Sequence, residues 1–182
     1  MAAVATGPGP LIRELTWAEV SRYRCCGGMD PNQREPIPRL ADVLTWLRLQ
    51  PDSAGVGLNI ELKLSPLDSA QSPTWERLDE LFTAELANHL LPGPLIVQCF
   101  DHGFLKLLHR RHPTWMLSAL MNRQQHDIGA RAVAAGAAVA SPHYQGLCAD
   151  EVQRAHALGV KVIPYTVNGA ADWQTMVDIG VD

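Results

Sequence analysis

The sequence has little with which to grip nucleic acid, cross a bilayer or cage a transition metal. Its 15 Lys and Arg are outnumbered by 19 Asp and Glu, for a net charge of −4. No basic stripe is present to neutralise a phosphate backbone, so nucleic acid is excluded as an expected partner, while a small anionic ligand is not. The longest apolar run, Ala132 to Ala140, falls far short of the roughly 20 residues that span a bilayer, and no membrane span is expected. Only four cysteines occur, Cys25, Cys26, Cys99 and Cys148, and none forms a CxxC pair, which leaves a zinc site unsupported. A chain of this size builds a core without disulfides, and Cys99 lies in an apolar strand-like run, so the four are read as free thiols in a reducing compartment. Met1 to Pro10 carries no positive charge and no long apolar stretch, hence no secretory signal, and a cytoplasmic location is expected. No GxGxxG follows a strand pattern, so a dinucleotide site has no support. What is present, 47% hydrophobic and 19% charged residues in 182, suits one globular domain over residues 1–182.

From Val56 onward, short β-type runs alternate with helical patterns, which is the signature of βα units winding a parallel sheet. The runs Gly57–Leu64, Pro94–Phe100, Trp115–Leu120, Ala137–Ser141 and Val160–Val167, each bounded by Gly or Pro, predict about five parallel strands. Between them, Ser72-Pro73 reads as an N-cap with proline at the first helical position, opening a helix with Trp75, Leu78, Phe82 and Leu86 on one stripe. Gly103–His112, Asp127–Ala135, Ala149–Leu158 and Ala170–Ile179 repeat the helical pattern, the last with Trp173, Met176 and Val177 facing the core. Arg39–Leu49 is a further helix with Leu40, Val43, Leu44 and Leu47 inward. Met1 to Glu35 is read as irregular, apart from a short helical stretch near Thr16–Tyr23, and the five tryptophans as core anchors.

The segment Gly57–Leu64 alternates without a break. In a strand, Leu58, Ile60, Leu62 and Leu64 take one face and Asn59, Glu61 and Lys63 the other. If the apolar face packs on helices, the acid and the base turn toward the interior, where an unpaired charge costs several kcal/mol. Three arrangements meet that constraint: a mutual ion pair, a cation on Glu61 with an anion on Lys63 about 6–7 Å along the strand, or an edge strand whose polar face is simply wet. For the second, a carboxylate suits a hard ion such as Mg²⁺ or Ca²⁺, and a Lys ammonium acts as a point charge on phosphate.

The chain resembles the glycerophosphodiester phosphodiesterase family, in which a strand of the form Asn-Ile-Glu-Leu-Lys bears a metal-binding Glu and a neighbouring Lys; here it is Asn59 to Lys63. Ile37-Pro38-Arg39-Leu40 with Val43-Leu44 is similar to the helix before that strand, and Val97 to Asp101 is similar to a Val-x-Ser-Phe-Asp stretch, with Cys99 in the Ser position. Ala155-His156, Gly159, Pro164-Tyr165-Thr166-Val167-Asn168 and Gly180-Val181-Asp182 follow in the family's order, with Tyr165 where the family usually has Trp. The resemblance implies a (β/α)8 TIM-type barrel, present here as a partial barrel of about five parallel strands. It further implies metal-dependent hydrolysis of small glycerophosphodiesters to glycerol 3-phosphate and an alcohol, with Glu61 as metal ligand, Lys63 on the phosphate, and Gln98, Phe100, Tyr165 and Asn168 as substrate contacts.

The family's His-Arg-Gly strand, its Glu-x-Asp pair and its second His have no counterpart here, so no catalytic residue is assigned. The chain is therefore read as a fragment with little or no activity by itself, and self-association through its exposed sheet edges is expected. The alternatives are another phospholipase-like phosphodiesterase, or a non-catalytic barrel remnant that binds a ligand or oligomerises. Asp101 is expected to cap the Gly103–His112 helix, Asn168 to cap the last one, and Phe100 to lie in the core. His109-Arg110-Arg111-His112 reads as a solvated helix end. His102 remains open between a rim contact and packing, and His89, His126, His143 and His156 read as packing or surface residues.

Overall fold

A computed structural model of the protein describes residues 10, 12–26, 34–64, 72–89 and 91–182. Met1–Gly9 and the side chains of Cys25 and Cys26, for which free thiols were expected, lie outside the described residues.

A single 3-10 turn, Ile12–Glu14, leads to α1, Trp17–Val20. That short helix is closed by a capping box in which Glu19 N–H donates to Thr16 Oγ1 and Thr16 N–H to Glu19 Oε2. Two short strands follow, β1 (Arg24–Cys26) and β2 (Arg34–Pro36), paired antiparallel where the sequence had suggested only loop. Then comes the repeating part: α2 (Leu40–Leu49), β3 (Leu58–Glu61), α3 (Trp75–Ala87), β4 (Leu95–Cys99), α4 (His102–Arg111), β5 (Met116–Met121), α5 (Ile128–Ala135), β6 (Val139–Pro142), α6 (Ala149–Ala157), β7 (Lys161–Val162) and α7 (Ala170–Asp178). The strands β3 to β7 form one parallel sheet in the order β3-β4-β5-β6-β7. Each strand lies beside its predecessor without a reversal, which is the winding of a (β/α) barrel and not of a doubly wound sheet, whose order switches.

The period of two assigns the sheet faces. Val97, Cys99, Leu117, Ala119, Met121, Ala140 and Val162 join the buried cluster that includes Phe104, Leu105 and Leu108 of α4 and Val152 and Ala155 of α6. The intervening residues Gln98, Ser118, Leu120 and Ser141 face the other way, and Ser118 and Ser141 satisfy each other there at 2.8 Å between hydroxyl oxygens. Ile60, Leu62 and Leu64 pack on the helix side, as the alternation requires. No helix among the described residues is long and apolar enough to cross a membrane.

Several expectations change. Helix α3 is capped by Thr74, whose hydroxyl accepts from Arg77 N–H, and not by Ser72; Pro73 lies ahead of the cap. Four of the five tryptophans are exposed instead of anchoring the core: Trp17 43%, Trp46 61%, Trp75 39% and Trp173 55%. In α2 the buried positions are Leu44 and Leu47, and at about 100° per residue Trp46 projects roughly 200° from Leu44, toward solvent. Trp17 instead lies under the Arg39 guanidinium, 5.3 Å from the ring centroid. In α7 only Met176 is buried, while Val177 is 68% exposed. The end of α4 is not simply solvated: Arg111 and His112 hold the buried carboxylate of Asp79 on α3 at 2.8 and 2.7 Å. Phe100, expected in the core, is 41% exposed.

Candidate active site at the strand C-terminal ends

In a (β/α) barrel the C-terminal ends of the strands carry the chemistry, and the polar residues of this chain gather there. Glu61 ends β3 and pairs in register with Gln98 of β4, so both project from the face opposite the helices. Asn59 Nδ2 donates to Gln98 Oε1 at 3.3 Å, tying the two strands together on that face. The Glu61 side chain is 27% exposed and Lys63, past the strand end, 79%; Lys63 Nζ is 3.7 Å from Glu61 Oε2. The pair is thus a loose ion contact at a wet rim, closest to the mutual ion pair among the three arrangements, on a strand that is an edge of the sheet.

Across the mouth, Phe100 and Tyr165 meet edge to face with ring centroids 5.9 Å apart. Tyr165 Oη–H donates to Met121 O at 3.0 Å, fixing the ring over the end of β5. Burial, and secondarily the negative charge of Glu61, push the Tyr165 hydroxyl above its ordinary value, which puts Glu61 within electrostatic reach of that ring. The Cys99 thiol, raised to about 11 by burial with smaller contributions from Asp101 and Glu61, stays protonated and donates to Leu62 O at 3.0 Å. It thereby holds the chain between Glu61 and Lys63. Asp101 caps α4 as expected, Oδ1 accepting from Phe104 N–H at 3.0 Å, and its Oδ2 accepts from Trp75 Nε1–H at 3.0 Å.

Of the sequence-derived candidates, Glu61, Lys63, Gln98, Phe100 and Tyr165 stand at this end of the sheet. Asn168 is exposed, and the cap expected from it is not formed: α7 begins from Gly169 with no side-chain cap. His102 turns inward, its Nε2–H donating to Leu120 O at 3.0 Å. His143, read as a packing or surface residue, bridges to Tyr165 and lies 5.5 Å from that ring. The signal for it was positional, since it comes two residues after the strand-like run ending at Ser141. Among the described residues no three His, Cys, Asp or Glu side chains converge to hold a metal ion; Glu61 offers one carboxylate and not a cage.

Comparison with known proteins agrees with this architecture. The model of the Glycerophosphoryl diester phosphodiesterase family matches residues 1–182. A Bacillus subtilis (strain 168) protein named glycerophosphodiester phosphodiesterase is 27% identical over 125 residues, 63% of this chain and 43% of that protein. A solved structure from Silicibacter pomeroyi DSS-3, named as a glycerophosphoryl diester phosphodiesterase, superposes with a TM-score of 0.81 at 24% identity, covering 97% of this chain and 66% of that one. An Oleispira antarctica phosphodiesterase, solved in complex with the product sn-glycerol-3-phosphate, superposes at 0.69 with 20% identity over 84% of this chain and 57% of its own. The chain therefore spans less than half the length of the curated relative and less than two thirds of the Oleispira structure.

Proposed function

The chain belongs to the glycerophosphoryl diester phosphodiesterase family, and from that premise we propose that it contributes the phosphate-facing rim of an enzyme hydrolysing glycerophosphodiesters to glycerol 3-phosphate and an alcohol. The observation that carries the proposal is the placing of Glu61 and Lys63 at the C-terminal end of a barrel strand, on the face shared with Gln98. In the hydrolysis, water oxygen bonds to phosphorus, the P–O bond to the alcohol breaks, and the departing oxygen takes a proton. Lys63 supplies a mobile positive charge for the non-bridging phosphate oxygens. Gln98, tied to Asn59, offers its amide N–H donors to the same group. Phe100 and Tyr165 wall the opposite side, and Asn168 stands further along the same loop as a substrate contact of this reading.

Glu61 suits one coordination position on a hard ion, Mg²⁺ or Ca²⁺. The described residues do not complete a cage, so no step is drawn through an ion. No acid or base is assigned, and because positioned acid–base groups contribute about 10²–10⁴-fold, the 182-residue chain by itself is expected to turn over slowly at best. Among the described residues β3 and β7 are the edges of the sheet, and self-association through them is part of the same reading, checked by sedimentation.

The direct test titrates glycerol 3-phosphate into the 182-residue chain and follows amide shifts of Glu61, Lys63 and Gln98. Lys63 is largely exposed, so its contact is worth about 1 kcal/mol and Lys63→Met weakens binding about fivefold. No shift at these residues, or equal affinity in Lys63→Met, overturns the proposal. Binding accompanied by shifts at a distant surface favours the ligand-binding remnant instead.

A further inference from the structure

Beyond the last pair of the β6–β7 ladder, Ala140 with Val162, the same register continues to a bridge between His143 and Tyr165. Tyr165 N–H donates to Pro142 O at 3.0 Å and Tyr144 N–H to Tyr165 O at 2.9 Å, which holds the backbone around His143 from the β7 side. From the β5 side His143 N–H donates to Met121 O at 3.0 Å, the same carbonyl that receives the Tyr165 hydroxyl. His143 lies two residues past Ser141, and extended chain turns both side chains to the face opposite the helices. The half-buried imidazole therefore stands beside the aromatic wall of the mouth, edge to face with Tyr165 at 5.5 Å and stacked with Tyr144 at 5.3 Å between ring centroids.

Hydrogen bonding fixes the tautomer of that ring. Gln145 N–H donates to His143 Nδ1 at 3.2 Å, so Nδ1 presents its lone pair and the proton of the neutral imidazole sits on Nε2. Among the described residues Nε2–H meets no acceptor. The wall beside it lacks what this group offers. Phe100 has no polar hydrogen, and the hydroxyl proton of Tyr165 is committed to Met121 O. A ligand hydroxyl drawn from water against those two rings loses its hydrogen bonds to solvent and needs a donor in return.

We infer that His143 is a specificity-determining residue of this site, its Nε2–H donating to a hydroxyl oxygen in the glycerol half of the substrate. The inference rests on the reading of Lys63 and Gln98 as the phosphate contacts. Neighbouring strands lie about 4.8 Å apart, so with the phosphate at β3 and β4 a donor on β6 reaches a part of the ligand that extends away from phosphorus. The Phe100–Tyr165 contact shows that side chains from β4 and β7 meet across that span. The glycerol half is common to all glycerophosphodiesters while the alcohol varies, and a donor locked in place by Met121, Tyr165 and Gln145 suits the part that does not change.

The experiment measures binding of glycerol 3-phosphate and of inorganic phosphate to the 182-residue chain by calorimetry, in wild type, His143→Phe and His143→Gln. Phenylalanine keeps an aromatic ring against Tyr144 and Tyr165 but has no donor, whereas the glutamine amide restores an N–H. His143→Phe is expected to weaken glycerol 3-phosphate about fivefold and inorganic phosphate less than about twofold, the size of one neutral hydrogen bond made to the glycerol half alone. His143→Gln is expected to bind both ligands nearly as wild type does. In wild type, where no variant need fold, long-range proton–nitrogen NMR spectra of the neutral ring are expected to place the proton on Nε2 and to show that nitrogen shifting with glycerol 3-phosphate and not with phosphate. Four results overturn the role of His143 alone, provided Lys63→Met still weakens binding: unchanged affinity in His143→Phe, an equal loss for both ligands, His143→Gln as weak as His143→Phe, or an Nε2 resonance that ignores glycerol 3-phosphate. Failure of glycerol 3-phosphate to bind the wild-type chain, or its indifference to Lys63→Met, removes the functional reading and this inference with it.

Discussion

Replacing Asp79 by Ala should unlatch α3 from the end of α4. Asp79 is 3% exposed and accepts three hydrogen bonds, from Arg111 Nη1 at 2.8 Å, His112 Nε2 at 2.7 Å and Thr83 Oγ1 at 3.3 Å. His112 in turn stacks on Trp115 with centroids 4.0 Å apart, and Trp115 meets Phe82 of α3 edge-on at 5.7 Å, so the latch joins α3, α4 and the start of β5. A hydrogen bond to a charged group is worth about 1.5–3 kcal/mol. Arg111, with 44% of its side chain exposed, recovers most of its loss by hydration, whereas His112 at 20% does not. The net cost is therefore about 2–3 kcal/mol, equivalent to a fall in Tm of about 5–10 °C for a chain of this length.

The pH dependence of the latch has a definite sign. Burial alone would raise the Asp79 carboxyl, but the bonds from Arg111, His112 and Thr83 outweigh it and hold the folded value below the ordinary 3.8. On acidification the unfolded chain takes up the proton first. The stabilisation is thus complete above the unfolded value and is lost as pH falls through the folded one. Thermal melts by circular dichroism at several pH values between 7 and 3 should show the gap between wild type and Asp79→Ala narrowing at the acid end. A difference in Tm below about 1 °C at pH 7, or one that stays constant down to pH 3, refutes the reasoning.

Two further predictions concern close packing and thiol chemistry. Gly129→Ala, which helix propensity alone predicts to stabilise by about 1 kcal/mol, is expected to destabilise by about 1–3 kcal/mol. The new Cβ would lie 2.6 Å from Ala155 Cα, where α5 and α6 touch through backbone, and urea denaturation decides the sign. In a Cys25→Ser/Cys26→Ser background, a thiol reagent at pH 8 should label exposed Cys148 promptly and Cys99 only at the rate of unfolding, because Cys99 is buried and its thiol is raised to about 11. Two equally fast thiols in the native chain contradict that burial.

Part of the candidate site was legible from the chain alone, because a strand's period of two is local. The alternation Asn59, Glu61, Lys63 against Ile60, Leu62, Leu64 already placed the acid on the face opposite the helices. It did not reveal that Lys63 lies beyond the last ladder pair and so stands in water, since where a parallel ladder stops depends on the neighbouring strand. Phe100 and Tyr165 illustrate the same divide. Each was a candidate by position, but their contact joins residues 65 apart in sequence, and only the curvature and register of β4 to β7 bring the rings together.

The alternation of strands and helices, the helix-facing stripe of β3 and the Asp101 cap follow from residue order alone, because each is set within one turn or a few residues of extended chain. The sequential strand order, the latch on Asp79, the exposure of Trp46, Trp75 and Trp173, and the start of α5 come instead from long-range packing. At that last point Asp127 makes no side-chain cap, and the waiting N–H groups of Asp127 and Ile128 are met by Glu151 of α6, at 3.3 and 3.4 Å. A backbone donor must be satisfied by whatever group the fold brings near it. Local sequence states that demand, and the packing of distant helices on one sheet supplies the answer.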